Sequence, residues 1–357
     1  MPVKTEHNPD SGADFAARAD AGFAADAGFT ADAAGHDAPE NRLLAREARG
    51  RLIKLSRLEL GPRRLAQAEM IVRLAAELEV DVLAHFYQRR EVRTLASYCG
   101  GSAGLYEAAK KSRASALLLC GVDFLGERVA RIRPDLPVVI PRRDAGCPFS
   151  KLVGPGEVAG LRLAHPEKIL AADLKASGDI LGLCDLAVGS ARDLPAPGAG
   201  GSGGAPLLVL PALSAGDPDR LAHGQFPGAV CHVHRLVRLE DVLAARASRP
   251  GAKIVVNSLC APEVRKAADF VGDSQSIFDW CSAAPPGEFV VACESGLVET
   301  LQERCPQSRF LETETEVFCP NMKLTNLKDI LAALEAHALG ARKGPGQIDR
   351  ACAEARS

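Results

Sequence analysis

Between Leu43 and Glu79 apolar residues recur at helical spacing (Leu52, Ile53 and Leu55, then Met70, Ile71, Leu74 and Leu78), with Gly61-Pro62 separating the two sets. Residues three and four apart share one face of a helix, so the pattern predicts two amphipathic helices broken at Gly61. From Asp81 the pattern changes. Short apolar runs, DVLAHFY, ALLLCGV, LPVVIP, KILAAD, PLLVLPA, KIVVNSL and EFVVACESG, alternate with amphipathic stretches. Such alternation predicts an α/β class with parallel sheets. Residues 1–42 are instead Ala, Asp and Gly with few large apolar side chains, including the near-repeat FAADAGF then FTADAAG. They cannot bury enough surface to offset their chain entropy and are expected to form a disordered leader.

The α/β region repeats. Glu91-Val92-Arg93, Ala96, Gly100 and Ser102 match Glu263-Val264-Arg265, Ala268, Gly272 and Ser274 without a gap. Ser102 and Ser274 each stand 15 residues before an apolar run and 45 before a Cys-Pro pair, at Cys147 and Cys319. A weaker middle copy carries KILAADLK, Gly189-Ser190 and PLLVLPA and ends at Cys231. The cysteines are 84 and 88 residues apart, so three units of similar size each end in one. The expected division is a first α/β domain with its N-terminal helices over 43–147, a second over 148–231 containing a Gly/Pro-rich insertion at 192–206, a third with a C-terminal helix over 232–340, and a tail at 341–357, in pseudo-threefold order.

Composition narrows the function. The 357 residues carry 43 Lys+Arg against 45 Asp+Glu, with 47% hydrophobic residues and a mean hydropathy of zero. No basic block offers a footprint for nucleic acid or an anionic membrane, and no apolar run approaches the roughly 18 residues of a spanning helix. The first residues have no apolar signal core, so the expected compartment is a reducing cytoplasm where the eleven cysteines stay free. No CxxC pair occurs, which removes the zinc-ribbon and thioredoxin signatures.

Parallel α/β units present ligands at the C-terminal ends of their strands. Three such units around a pseudo-threefold axis would aim three equivalent loops at one point, bringing Cys147, Cys231 and Cys319 together. Thiolate-only ligation favours an iron–sulfur cluster or zinc, and three ligands on a four-iron cluster leave one iron open as a Lewis acid. Plain burial as apolar thiols is the alternative, and it is the reading for Cys99, Cys120, Cys184, Cys260, Cys281, Cys293, Cys305 and Cys352, which have no counterparts in register. Ser102, Ser190 and Ser274 precede amphipathic stretches, where a helix start either binds a phosphate or carboxylate or is simply capped. His85 and Tyr87 follow a strand and are candidates for proton transfer. His232, His234 and Glu294 are less specific candidates at strand or loop ends.

In order along the chain, AHFYQRREV, GGSAGL, CGVDF, DAGCPFS, CHVH, EVRKAADFVGDS and CPNMK resemble quinolinate synthase from about Asp81 to Leu334. The resemblance implies three homologous α/β/α sandwich domains around a central [4Fe-4S] cluster held by three cysteines. It also implies condensation of iminoaspartate with dihydroxyacetone phosphate to quinolinate, with loss of phosphate and water, in NAD biosynthesis; L-aspartate oxidase or aspartate dehydrogenase would be the functional partner. The family's AGCSL, CxVH and CPNM cysteines fall on Cys147, Cys231 and Cys319. Its HYYQ falls on His85 to Gln88, its first DS serine on Ser102, and its GSTS on Gly272 to Ser274. Its His-Pro-Glu lands on Asn257, Ser258 and Leu259, where Leu259 moves no proton, its Tyr-x-Asn near Glu167 and Ile169, and its TSSNA is blurred into AVGSA. Cluster ligands are thus kept while part of the substrate shell changes. Three readings follow: a synthase of this reaction, a paralogue with the same cluster and another substrate, or a non-catalytic iron–sulfur protein.

Overall fold

The computed structural model describes residues 39–173, 175–188, 207–208 and 231–343. Residues 1–38 of the leader, Ser190, the 192–206 insertion and residues 344–357 of the tail lie outside the described residues. The two expected helices run Pro39–Ser56 and Pro62–Glu77, and Pro62 starts the second, where its missing N–H is no loss. No helix among the described residues is long and apolar enough to cross a membrane.

Among the described residues three parallel sheets follow in chain order. The first contains β1 (Val80–His85), β2 (Tyr98–Gly100), β3 (Ala116–Cys120) and β4 (Val138–Val139) in the order β2-β1-β3-β4. The second contains β5 (Leu170–Asp173), β6 (Leu186–Val188) and β7 (Leu207–Leu208) in the order β6-β5-β7. The third contains β8 (Lys253–Asn257), β9 (Phe270–Gly272), β10 (Glu288–Ala292) and β11 (Arg309–Leu311) in the order β11-β10-β8-β9. Every described part of the seven apolar runs contributes a strand. The chain is α/β with parallel sheets.

Register carries the sequence repeat into the hydrogen bonds. Leu83 pairs with Tyr98, Ala171 with Leu186 and Val255 with Phe270. At the strand ends His85 pairs with Gly100, Asp173 with Val188 and Asn257 with Gly272. His85, Asp173 and Asn257 are therefore equivalent positions. The middle sheet's strand-end pair is Asp173 and Lys175, further along the chain than Glu167 and Ile169, onto which the resemblance placed a Tyr-x-Asn.

Strands of a parallel sheet are buried on both faces, which is why they read as continuous apolar runs. Leu117 and Leu119 of β3 face one core with Phe289 and Val291 of β10, while Leu118 and Cys120 face another with Ile71 and Val72 of the second helix. The first core is thus common to the first and third sheets. A third core joins Ile254, Val256 and Val290 to Val233, Val237 and Val317. The last helix, Leu327–Lys343, inserts Ile330 and Leu334 into the core under the N-terminal helices.

Helices Ser102–Lys111 and Ser274–Ala283 begin at neighbouring points after β2 and β9. The Gly101 N–H donates to Gln275 Oε1 at 2.8 Å, and a Cβ on Gly101 would stand 2.7 Å from both Gln275 N and Ser274 Oγ. Gly101→Val forces these helix starts apart. It is expected to cost about 1–3 kcal/mol, read as a lower urea midpoint with an unchanged slope.

Candidate active site

One hydrogen bond recurs at all three strand ends. The side chain of the last strand residue accepts the backbone N–H two residues on: Tyr87 N–H to His85 Nδ1 at 3.2 Å, Lys175 N–H to Asp173 Oδ1 at 2.7 Å and Leu259 N–H to Asn257 Oδ1 at 2.9 Å. A second turn bond closes each loop, from Gln88, Ala176 and Cys260 N–H to the carbonyls of His85, Asp173 and Asn257. Each loop is held so that the residue after the clamp lines one common cavity, which therefore receives Tyr87, Lys175 and Leu259. It encloses about 750 Å³, its opening to solvent included.

The same cavity is lined by His85, Ser102, Ser274, Cys147, Cys231 and Cys319. Seven of the eight candidate residues from the sequence thus meet in one place; the eighth, Ser190, lies outside the described residues. His232, His234, Asn257, Ser258 and Asp273 also line it, whereas Glu294 does not. Glu294 is fully buried as the cap of helix Ser295–Arg304, where it accepts from Gly296 N–H and pairs with Lys323 at 2.7 Å. Lys323 also donates to the Tyr87 carbonyl at 2.9 Å, so this pair braces one loop against another.

The three cysteines arrive on separate turns that are tied together. Cys147 and Cys319 pack against the apolar cluster that contains Cys231, Phe149 and Val317. Asn321 donates to the Gly146 carbonyl at 2.6 Å, joining the Cys319 and Cys147 turns, and Gln88 donates to the Met322 carbonyl at 2.5 Å. Asp123 accepts the Cys147 N–H at 3.0 Å and pairs with Lys151 at 2.8 Å. Burial pushes the thiols up, Cys147 to about 11, Cys319 to about 12 and Cys231 in the same direction. Backbone N–H groups oppose that shift at every sulfur: Ser150 and Phe149 at Cys147, His234 and Val233 at Cys231, and Met322 at Cys319. Dry surroundings suit a thiolate whose charge is neutralised by metal.

A polar hub in the cavity wall centres on Cys293, which the sequence marked only as a buried thiol. Tyr87 Oη stands 3.1 Å from Cys293 Sγ and 3.5 Å from His234 Nε2, and Asn257 Nδ2 donates to both Tyr87 Oη and Cys293 Sγ at 3.3 Å. Burial and the neighbouring thiol hold the Tyr87 phenol well above its ordinary range, so it stays protonated. Burial and the Lys175 charge push His85 and His234 down to about 3. Because His85 Nδ1 accepts the Tyr87 N–H, the proton of neutral His85 resides on Nε2. His85 and Tyr87 are therefore both hydrogen-bond donors at neutral pH. Buried His234 Nδ1 and Ser258 Oγ have no hydrogen-bond partner among the described residues, which marks the lining as built for a polar ligand.

A family model described as NadA, quinolinate synthetase A protein, matches residues 69–349. The chain belongs to this family. It is similar to the quinolinate synthase of Geotalea uraniireducens, 30% identical over 272 residues covering 73% of this chain and 86% of the relative. It is also similar to those of Methanosarcina barkeri, 29% over 279 residues (76% and 90%), and Thermus thermophilus, 28% over 289 residues (76% and 89%). Among the described residues no three His, Cys, Asp or Glu side chains are gathered around a single ion position. A single zinc requires each sulfur about 2.3 Å from one centre, whereas a cluster takes one thiolate per iron and spreads them. Three thiols lining one dry cavity fit the iron–sulfur cofactor of this family.

A histidine buried neutral destabilises the fold as pH falls, because the unfolded chain binds its proton at pH 6.5 and the folded chain only near 3. Asn257 already performs the His85 clamp in the third sheet, so His85→Asn retains it. From about pH 7.5 to about pH 5.5 this variant is expected to lose about 1.4 kcal/mol less stability than the parent, measured by urea denaturation at each pH.

Proposed function

We propose that this protein is a quinolinate synthase that condenses iminoaspartate with dihydroxyacetone phosphate, losing phosphate and water. The observation that carries the reading is the cavity shared by Cys147, Cys231, Cys319, His85 and Tyr87 in a chain of this family. The proposal includes three α/β units, 43–147, 148–231 and 232–340, around a pseudo-threefold axis, with the three cysteines holding a [4Fe-4S] cluster. When bound, that cluster would supply a Lewis acid at the iron without a protein thiolate. L-aspartate oxidase or aspartate dehydrogenase would provide the unstable imine.

The roles of the chain's own residues follow from their chemistry. Neutral His85 donates from Nε2 and Tyr87 from Oη, so both stabilise an oxygen that gains negative charge and Tyr87 can pass its proton to a leaving hydroxyl. Ser102 and Ser274 present the first N–H groups of two helices to a carboxylate or phosphate, and Ser190 is assigned the same role in the middle unit. The apolar wall, including Val122, Phe124 and Phe149, limits water around a hydrolysable imine.

One observation favours a second reading, a paralogue with the same cluster acting on another substrate. The strand-end residues that enter the cavity are Asn257 and Leu259 where the family resemblance has His and Glu, and the middle sheet supplies Lys175. Anaerobically purified, iron-loaded protein is expected to form quinolinate from dihydroxyacetone phosphate and enzymatically generated iminoaspartate. Cys147→Ala, Cys231→Ala and Cys319→Ala are each expected to lower bound iron and abolish product. Product no greater than in an iron-free control removes the synthase reading; full iron content in all three variants removes the ligand assignment. Intact iron without rescue of a quinolinate-requiring strain favours the paralogue.

A further inference from the structure

We propose that Lys175 is the anion-binding residue of this cavity, holding a carboxylate or phosphate oxygen of the substrate through its ammonium group. Among the described residues that line the cavity it is the only lysine or arginine. Its side chain is 16% exposed and lines the cavity. The clamp from Asp173 to the Lys175 N–H fixes the loop as the His85 clamp fixes Tyr87, so the side chain is placed by backbone geometry rather than by its own flexibility.

The ammonium has capacity to spare. Its acceptors among the described residues are the two oxygens of Asp173, both at 3.3 Å, whereas a well-formed ammonium–carboxylate bond is about 2.7–2.9 Å. Two carboxylates act on it, Asp173 and Asp273; burial alone would lower its proton affinity, but these charges outweigh burial and keep it protonated. Both carboxylates also accept backbone N–H bonds, from Lys175 at 2.7 Å and from Ser276 at 2.8 Å, the latter at a helix start whose dipole offsets the charge. Of the three N–H groups on the ammonium, at least one is left for a ligand. The unpartnered Ser258 Oγ and His234 Nδ1 in the same wall are independent signs of a polar ligand. The equivalent positions are the phenol of Tyr87 and the aliphatic Leu259, so the middle sheet supplies the one fixed cation that a multiply charged anion needs on leaving water.

The inference rests on the cavity's being the reaction site, and binding tests it without turnover. Isothermal titration of iron-loaded, anaerobically purified full-length protein would use quinolinate, pyridine-2-carboxylate, pyridine-3-carboxylate and inorganic phosphate. The parent is expected to bind at least one, and Lys175→Met to weaken it by roughly 10- to 100-fold, the range of one charge-assisted hydrogen bond. Lys175→Arg is expected to recover part of the loss. Because Lys175→Met strands the buried Asp173, the double variant Asp173→Asn with Lys175→Met serves as the second arm and is expected to show the same loss in a protein without the unpaired charge. Loss for quinolinate and only one monocarboxylate identifies which carboxylate is held, and loss for phosphate alone identifies a phosphate site. Affinity unchanged in both methionine variants, or no binding of any probe by the parent, overturns the proposal. Unchanged affinity with quinolinate formation leaves the synthase reading standing, whereas Lys175-dependent binding without quinolinate removes that reading and keeps the anion site.

Discussion

A backbone N–H accepted by the last side chain of a strand controls what this protein can present to a ligand. The loop after a parallel strand has no ladder partner, and its orphan N–H groups must be satisfied locally. His85, Asp173 and Asn257 do this with three different functional groups and one geometry. The chemistry two residues further on is then free to vary, and it does: phenol, ammonium and isobutyl groups occupy the same station. The site diverges by changing what stands on a conserved local scaffold within one chain.

Burial makes these groups useful. A phenol, two imidazoles and three thiols share a wall with Val122 and Phe149, and desolvation moves each away from its charged form. Neutral donors and protonated thiols result from the same dry environment. Lys175 resists the trend because two carboxylates sustain its charge, and that charge in turn helps keep both histidines neutral. The electrostatics of the cavity are coupled through this one residue.

Much of the fold was legible because parallel strands buried on both faces appear as unbroken apolar runs, as in DVLAHFY and KIVVNSL. The edge strands β2, β6, β9 and β11 are three residues each, shorter than any periodicity test, and the repeat from Glu91 and Glu263 marked only the glycines that end β2 and β9. Cys147, Cys231, Cys319, Ser102 and Ser274 stood out because duplication marks equivalent positions, and His85 and Tyr87 because they follow a strand. Asp173 and Lys175 could not, since a lysine beside a strand ordinarily reads as a solvated side chain and the middle copy is too worn for sequence register. Cys293 was read as a plain buried thiol. It is buried, but its hydrogen-bond partners Tyr87 and Asn257 lie 206 and 36 residues away, a relation only the folded chain displays.

The shared core also bears on how such a chain is made. Phe86 and Leu105 pack in one cluster with Ile277, Phe289 and Leu297, and the helix that follows the Cys319 turn docks on the helices before β1. The first sheet therefore leaves the ribosome with one face uncovered and stays so until the third has been translated. Vectorial synthesis cannot complete this protein one segment at a time, and the apolar face of the growing chain waits for its cover until the third sheet and the last helix follow.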